Sequence, residues 1–164
     1  MARKPVVAIV MGSKSDIEIM GETAKIFTDF SIPFEKRVIS AHRTPEKARE
    51  FALTAEEKGF KIIIAGAGKA AHLAGVMASL TTLPVIGVPI PTADLGGLDS
   101  LLSTVQMPGG TPVATTAIGK AGAKNAALLA AAILALSDDN IKGTLEHYRE
   151  MLRDQVNRDD KEIN

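Results

Sequence analysis

Three short stretches of the sequence carry the side chains best suited to chemistry. They are "MGSKSD" (11–16), "SAHRTP" (40–45) and "AGAGKAAHLAG" (65–75), and each follows a short apolar run. In the second stretch, His42 is the residue type whose ordinary pKa lies near neutrality, so it suits proton transfer in both directions. Its neighbour Arg43 could bind a phosphate through two parallel hydrogen bonds. A histidine just before a helix cap is equally consistent with a local hydrogen bond, so His42 alone does not decide between these interpretations.

The first stretch has the features of an anion site at a helix start. Gly12 allows a tight turn, and Ser13, Ser15 and the backbone N–H groups that follow could face a phosphate. Asp16 could accept hydrogen bonds from ribose hydroxyls. The alternative is structural, with Ser15 as a helix cap and Asp16 complementing the helix dipole. The stretch matches neither the Walker A pattern nor G-x-G-x-x-G.

The third stretch combines glycines with a second histidine. Gly66 and Gly68 would let backbone N–H groups approach a ligand closely. We expect His72 about one turn into the following helix, where it is either part of the site or a buried histidine with a local partner. Each stretch alone is a modest signal, but their placement on neighbouring strand ends favours one shared site.

The sequence also excludes several kinds of site. There is no cysteine, which rules out disulfides, thiolate nucleophiles and cysteine metal ligands. It contains no G-x-S-x-G motif and no carboxylate pair suited to glycoside hydrolysis. His42, His72 and His147 are scattered and have no carboxylate at ligand spacing, so we expect no catalytic metal. Aromatic residues make up 4% and none lies in the three stretches, which argues against a stacked flavin.

Composition bounds the partners and the compartment. Lys plus Arg and Asp plus Glu number 19 each, so the zero net charge gives no reason to expect nucleic acid or an anionic membrane as partner. The apolar run near the N-terminus is too short for a signal peptide, and the longest later run, "AALLAAAILAL", is too short to span a bilayer. We therefore expect a cytoplasmic protein that contacts neither nucleic acid nor membrane.

The elements that must position these stretches alternate along the chain. Apolar runs predict strands at 6–10, 61–66 and 84–89, with a weaker fifth at 111–118. The segment 34–40 is the least convincing strand because it contains three charged residues, and it is expected near an edge of the sheet. Helical patterns lie between them. The alternation predicts one α/β domain over 1–164, a flavodoxin-like three-layer αβα fold with a five-stranded parallel sheet in the order 2-1-3-4-5.

Helix-end signals refine this picture. Ser15 and Glu18 have capping-box spacing, which predicts a helix start directly after the first strand. Thr44 suits an N-cap, Pro45 suits the first helical position and Gly59 suits the stop of the second helix.

Two C-terminal helices have more apolar surface than one sheet needs. The segment "AGAKNAALLAAAILAL" (121–136) is almost entirely apolar and should be deeply buried. A further helix at 139–158 is charged apart from one stripe: Ile141, Leu145, Tyr148, Leu152 and Val156. That stripe could pack on its own domain or on a neighbouring subunit. We favour the second and expect a homo-oligomer.

The three stretches, followed by "LPVIGVP", "LDSLLSTVQMPGG", "PVATTAIG" and "AGAKNAALLAA", resemble in order and spacing the N5-carboxyaminoimidazole ribonucleotide mutase family over residues 6–137. This is the catalytic-subunit family of phosphoribosylaminoimidazole carboxylase. The form "GAGKAAHL" is similar to the bacterial mutase class rather than to the class that carboxylates with free CO2.

The resemblance implies a role in de novo purine synthesis, where a carboxylate moves from the exocyclic nitrogen of aminoimidazole ribonucleotide to ring carbon four. It implies octamers of flavodoxin-like subunits that use no cofactor and no metal. It also implies that His42 is the general acid/base and that Ser13, Asp16 and Arg43 bind phosphate and ribose. The remaining pocket residues that it implies are Ser40, Ala41, Gly66, Gly68, Ala70, His72 and Leu73.

The chemistry of such a reaction fits one histidine. A carbamate loses CO2 once its nitrogen is protonated, and the new carbon adduct must then lose a proton, so one acid/base can serve both steps. Because CO2 must not escape between them, the pocket has to be closed, with residues 105–114 expected from a neighbouring subunit.

Two positions depart from the family pattern, which has Gly where Lys69 stands and Pro where Ala74 stands. If the backbone needs a positive φ at position 69, a lysine there is strained. Three other functions stay open at this point: a CO2-dependent carboxylase, a flavin-binding electron carrier and a non-catalytic nucleotide-binding module.

Overall fold

The computed structural model describes residues 4–163, and its centre is a five-stranded parallel sheet. The strands are β1 (Val7–Met11), β2 (Phe34–Val38), β3 (Ile62–Ala67), β4 (Val85–Pro89) and β5 (Ala114–Thr115). Their order is β2-β1-β3-β4-β5, and every neighbouring pair is parallel. This confirms the predicted flavodoxin-like sheet.

Helices cover both faces of the sheet. They are α1 (Ile17–Asp29), α2 (Pro45–Thr54), α3 (Leu73–Ala78), α4 (Leu98–Val105), α5 (Lys120–Leu134) and α6 (Asp139–Ile163). Side chains of β1 alternate between the two layers: Val7, Ile9 and Met11 pack with α1, α5 and α6, whereas Ala8 and Val10 pack with α2 and α3. Burial on both faces is why this strand is apolar at every position.

The boundaries of two elements differ from the sequence prediction. The predicted strand at 111–118 contributes only two paired residues, since Pro112 has no N–H to donate and this edge strand has one neighbour. The second helix ends at Thr54, five residues before the predicted stop. Gly59, with φ of 95°, instead belongs to the turn that follows.

The predicted capping box of Ser15 and Glu18 is wrong by two residues. Ser13 and Asp16 form the box around a 3₁₀ turn, Lys14–Asp16, because the Asp16 carboxylate reaches back to the Ser13 N–H. Glu18 instead pairs with Lys120 of α5 at 2.7 Å.

The apolar stripe of α6 divides into two parts. Near its start, Leu145 is buried and Tyr148 packs edge-on against Phe30, with ring centroids 5.7 Å apart. Farther along, Leu152 is 51% exposed and Val156 is 66% exposed. The helix packs on its own domain at one end only, and packing of the other end on a neighbouring subunit stays a prediction.

Among residues 4–163, no helix combines the length and the apolar character that crossing a membrane requires.

Candidate functional site

A cavity of about 570 Å³ lies beyond the carboxyl ends of β1 to β4, where ligands bind in open parallel sheets. The three stretches singled out in the sequence meet there. The predicted residues that line it are Ser13, Ser15, Asp16, Ser40, Ala41, His42, Arg43, Gly68, Ala70 and Leu73.

Asp16 organises the loop after β1. Its carboxylate accepts hydrogen bonds from the Ser13 backbone N–H at 2.9 Å and the Ser15 hydroxyl at 3.2 Å. The residue is 8% exposed, and this burial raises the pKa of the Asp16 carboxyl, while the two hydrogen bonds and the Arg43 guanidinium oppose the rise. The loop therefore presents a fixed acceptor and two hydroxyls to the cavity.

Arg43 ties the loop after β2 to the loop after β1. Its Nη2 donates to the carbonyl of Gly12 at 2.8 Å, and its Nε and backbone N–H donate to the Ser40 hydroxyl at 3.4 and 3.1 Å. Thr44 occupies the predicted N-cap position of α2, but its hydroxyl turns back and donates to the Ser40 carbonyl. Since a guanidinium has five N–H donors, Arg43 retains donors for an anion while these bonds hold it in place.

His42 and His72 form a direct pair. His42 Nε2 lies 2.9 Å from His72 Nδ1, with the two rings nearly perpendicular at 87°. One proton must lie between these nitrogens, so the tautomer of one ring fixes that of the other. His72 is the N-cap residue of α3, not one turn inside a helix as predicted, and it contacts His42 without lining the cavity.

Gly66 does not line the cavity, contrary to the sequence prediction. It lies within β3, and a Cβ there would overlap the sulfur of Met20 in α1. Its carbonyl accepts from the Gly12 N–H at 3.1 Å. The glycine leaves room for the Met20 side chain of α1, and its carbonyl anchors the loop after β1.

Lys69 lines the cavity with a left-handed backbone, φ 58°. The positive φ that was considered for this position is therefore present, on a residue other than glycine. Its backbone N–H donates to the Ser100 hydroxyl at 2.9 Å, and its ammonium pairs with Asp94 at 2.6 Å. That hydrogen bond and the Asp94 charge raise the pKa of Lys69 and lower that of Asp94. Ala74, the other departure from the family pattern, is buried in α3.

Sequence reasoning missed the loop after β4, residues 90–94, which forms one wall of the cavity. The signal was available, because the predicted order places β4 beside β3, and "PTAD" brings polar residues to that end. Thr92 donates to the Asp99 carboxylate at 2.9 Å and fastens this loop to α4.

Across residues 4–163 no three His, Cys, Asp or Glu side chains are grouped as metal ligands. The expectation that no metal or cofactor takes part stays a prediction.

Comparison with known proteins gives concordant matches. The family model described as AIR carboxylase matches residues 6–155. The N5-carboxyaminoimidazole ribonucleotide mutase of Bacillus subtilis is 56% identical to this chain, over 93% of this chain and 94% of that protein. The N5-carboxyaminoimidazole ribonucleotide mutase of Pyrococcus abyssi is 59% identical, over 91% of this chain and 84% of that protein. The crystal structure of Treponema denticola PurE superposes with a TM-score of 0.86 at 31% identity, covering 96% of this chain and 98% of that one.

Proposed function

The chain belongs to the AIR carboxylase family, and we propose that it interconverts N5-carboxyaminoimidazole ribonucleotide and 4-carboxyaminoimidazole ribonucleotide with His42 as the general acid/base. It is a carboxyl-transferring isomerase of purine biosynthesis, in agreement with the names of its relatives. Neither the CO2-dependent carboxylase nor the flavin carrier is favoured by those names.

The observation that carries this proposal is the position of the histidine pair. His42 lines the cavity together with Arg43, which can bind an anion, and with the loop after β3, which offers backbone N–H groups, and it is hydrogen-bonded to His72. A proton carrier beside an anion site is what a reaction on the base of a nucleotide requires.

The first step is decarboxylation of the carbamate. The His42 proton moves to the exocyclic nitrogen, the bond between that nitrogen and the carboxyl carbon breaks, and its electron pair stays on nitrogen. Aminoimidazole ribonucleotide and CO2 result, and His42 is left as a base. No net proton is consumed, because the second step returns it.

The second step forms the new carbon–carbon bond. Ring carbon four is electron-rich because the amine donates into the ring, and it attacks the CO2 carbon. The adduct carries a hydrogen on a tetrahedral carbon, and its removal by His42 restores the aromatic ring. The same imidazole of His42 gives up a proton in the first step and accepts one in the second, so it must stay close to both substrate atoms. The hydrogen bond between His42 and His72 serves to hold the imidazole ring in that position.

The other predicted residues orient the nucleotide. We assign the phosphate to Arg43 and the hydroxyls of Ser13, Ser15 and Ser40, and ribose hydroxyls to the buried Asp16 carboxylate. Ala41, Gly68, Ala70 and Leu73 leave space for the base, and His72 acts through His42.

Retention of CO2 needs a cover, and the single chain leaves His42, Arg43 and Ala70 exposed. A homo-oligomer, an octamer in our proposal, would supply it from residues 105–114 of a neighbour. Exposed apolar side chains on α4 support such a contact, with Leu98 at 51% and Leu102 and Val105 at 47%. We assign the assembly to the cytoplasm.

A substrate-supply assay tests the function. We expect rapid formation of 4-carboxyaminoimidazole ribonucleotide from the carbamate substrate, and little from aminoimidazole ribonucleotide with dilute bicarbonate. The opposite preference would make the protein a CO2-dependent carboxylase. No conversion of either substrate by the assembled protein would overturn the proposal altogether.

A further inference from the structure

Lys69 combines three structural features at the cavity wall. It lines the cavity, it holds a left-handed backbone that costs a side-chain-bearing residue conformational energy, and its backbone is fixed by α4. The Ser100 hydroxyl, on a fully buried residue, accepts from the Lys69 N–H at 2.9 Å, and the Ser103 hydroxyl lies 3.4 Å from the Lys69 carbonyl. Strain maintained in this way at a cavity wall points to a use for the side chain.

The cavity has two permanently cationic side chains, Arg43 and Lys69. Arg43 follows β2 and Lys69 follows β3, with β1 between those strands, so the two loops start about 10 Å apart across the sheet. The proposed substrate also carries two anionic groups, a phosphate at one end and a carboxyl group on the base at the other. The pattern of charges in the cavity matches that of a carboxylated ribonucleotide.

The Lys69 ammonium forms an ion pair with Asp94 that a ligand can displace. It lies 2.6 Å from the Asp94 carboxylate, and the two side chains are 72% and 64% exposed. Ion pairs this exposed to water are weak, and they exchange easily for another carboxylate. Asp94 therefore holds the Lys69 ammonium at the wall of the cavity until an anionic ligand competes for it.

We propose that Lys69 binds the carboxyl group of the substrate, leaving Asp94 to do so, and thereby selects carboxylated ribonucleotides over the uncarboxylated one. This inference rests on the proposed function and adds a specificity residue to it. A lysine is suited to this role because its ammonium is a compact donor on a flexible stem, which can follow the carboxyl group between nitrogen and carbon.

Binding measurements on the full chain with His42→Asn, which blocks turnover, test the inference. The two probes are 4-carboxyaminoimidazole ribonucleotide and aminoimidazole ribonucleotide. We expect Lys69→Met to raise the Kd of the carboxylated probe about tenfold, the typical effect of one hydrogen bond to a charged group, and to leave the Kd of the other within twofold. Lys14→Met, an exposed lysine beside the site but outside the cavity wall, is the matched control for loss of one charge.

Asp94→Asn separates ligand binding from a purely structural bridge. If Lys69 binds the ligand, removing its competitor should lower the Kd of the carboxylated probe, opposite in direction to Lys69→Met. If the pair only holds two loops together, both substitutions break it and should change both Kd values alike, which would overturn the inference. Lys69→Gly, which relieves the backbone, gives the same test should Lys69→Met fold poorly.

The proposed function and this inference fail in different ways. If the wild-type protein converts the carbamate, unchanged discrimination between the two probes in Lys69→Met refutes only the role of Lys69. A wild-type protein that binds neither ribonucleotide refutes both.

Discussion

At the scale of single residues, the site depends on polar side chains that hold one another before any ligand arrives. His42 shares a proton with His72, Arg43 is bound to Ser40 and Gly12, and Asp16 collects two donors. Each functional group thus has a fixed direction, which reduces the reorganisation needed when substrate binds. The cost is a carboxylate held out of water at Asp16.

Asp16 gives a pH prediction with a definite sign. Burial is the largest influence and raises its folded-state pKa above the unfolded value, so its contribution to stability is fully present below pH 4 and is lost as pH rises through the folded pKa. Relative to Asp16→Asn, the wild type should therefore gain unfolding free energy as the pH falls from 7 to 4. Urea unfolding at several pH values measures this difference. A wild type that loses stability relative to the variant on acidification would contradict the account.

At the scale of elements, packing fixes where the strand ends and helix starts lie. Gly122 in the first turn of α5 has no room for a side chain, since a Cβ there would overlap the backbone carbonyl of Ala117. Gly21 in the middle of α1 has nothing within 4 Å of the same construction. A side chain is therefore excluded at Gly122, whereas one can be accommodated at Gly21.

We expect Gly122→Ala to lower the unfolding free energy by about 3 kcal/mol, because backbone must move to admit the methyl group. Gly21→Ala is the matched control and should raise it by about 0.5–1 kcal/mol through helix propensity. Urea denaturation of both variants provides the measurement. Equal effects of the two substitutions would show that the α5 contact is not tight.

Sequence reasoning reached the sheet order because apolar runs alternating with helical patterns leave few parallel topologies. It placed the first four strands to within a residue or two. Burial on both faces makes β1, β3 and β4 almost continuously apolar, whereas β2 at the edge of the sheet is charged and largely exposed. It overestimated β5, an edge strand with little apolar content. It misplaced the start of α3 because a short helix of small residues offers no side-chain cap to recognise.

The sequence predicts which loops form the site, but it does not predict the side-chain contacts within the site. Once the sheet order was inferred, the loops after β1, β2 and β3 had to meet, and His42 and Arg43 followed from residue type. The hydrogen bond of His42 to His72 and the burial of Asp16 depend on side-chain rotamers, which spacing does not determine. The sequence predicts a ligand-facing Gly66 because it does not reveal that Met20 packs against this glycine.

At the scale of the whole molecule, the C-terminal half of α6 carries an apolar stripe that is exposed in the single chain. The helix has 25 residues, about 37 Å at the usual rise, and its apolar stripe continues beyond the region that packs on the domain. Together with the exposed face of α4, this stripe is consistent with the proposed homo-oligomer.

Replacing both Leu152 and Val156 with lysine should lower the mass of the assembly in sedimentation equilibrium, because charge then replaces apolar contact area at the interface. Asp154→Lys places the same cation on the opposite face of the helix and should leave the mass unchanged. The prediction that α6 packs on a neighbour fails if the double variant keeps the wild-type mass, or if the wild type itself is a monomer.

The most direct measurement of the central claim is turnover of the carbamate substrate by His42→Asn, with ribonucleotide binding measured on the same protein. Proton transfer by a positioned side chain contributes about 10²–10⁴-fold, so kcat should fall by at least about 10²-fold while the Kd for aminoimidazole ribonucleotide stays within about threefold. His147→Asn, a histidine on the exposed side of α6, should behave as wild type. Turnover by His42→Asn within a few-fold of the wild-type rate would contradict the assignment of His42 as the acid and base of this reaction.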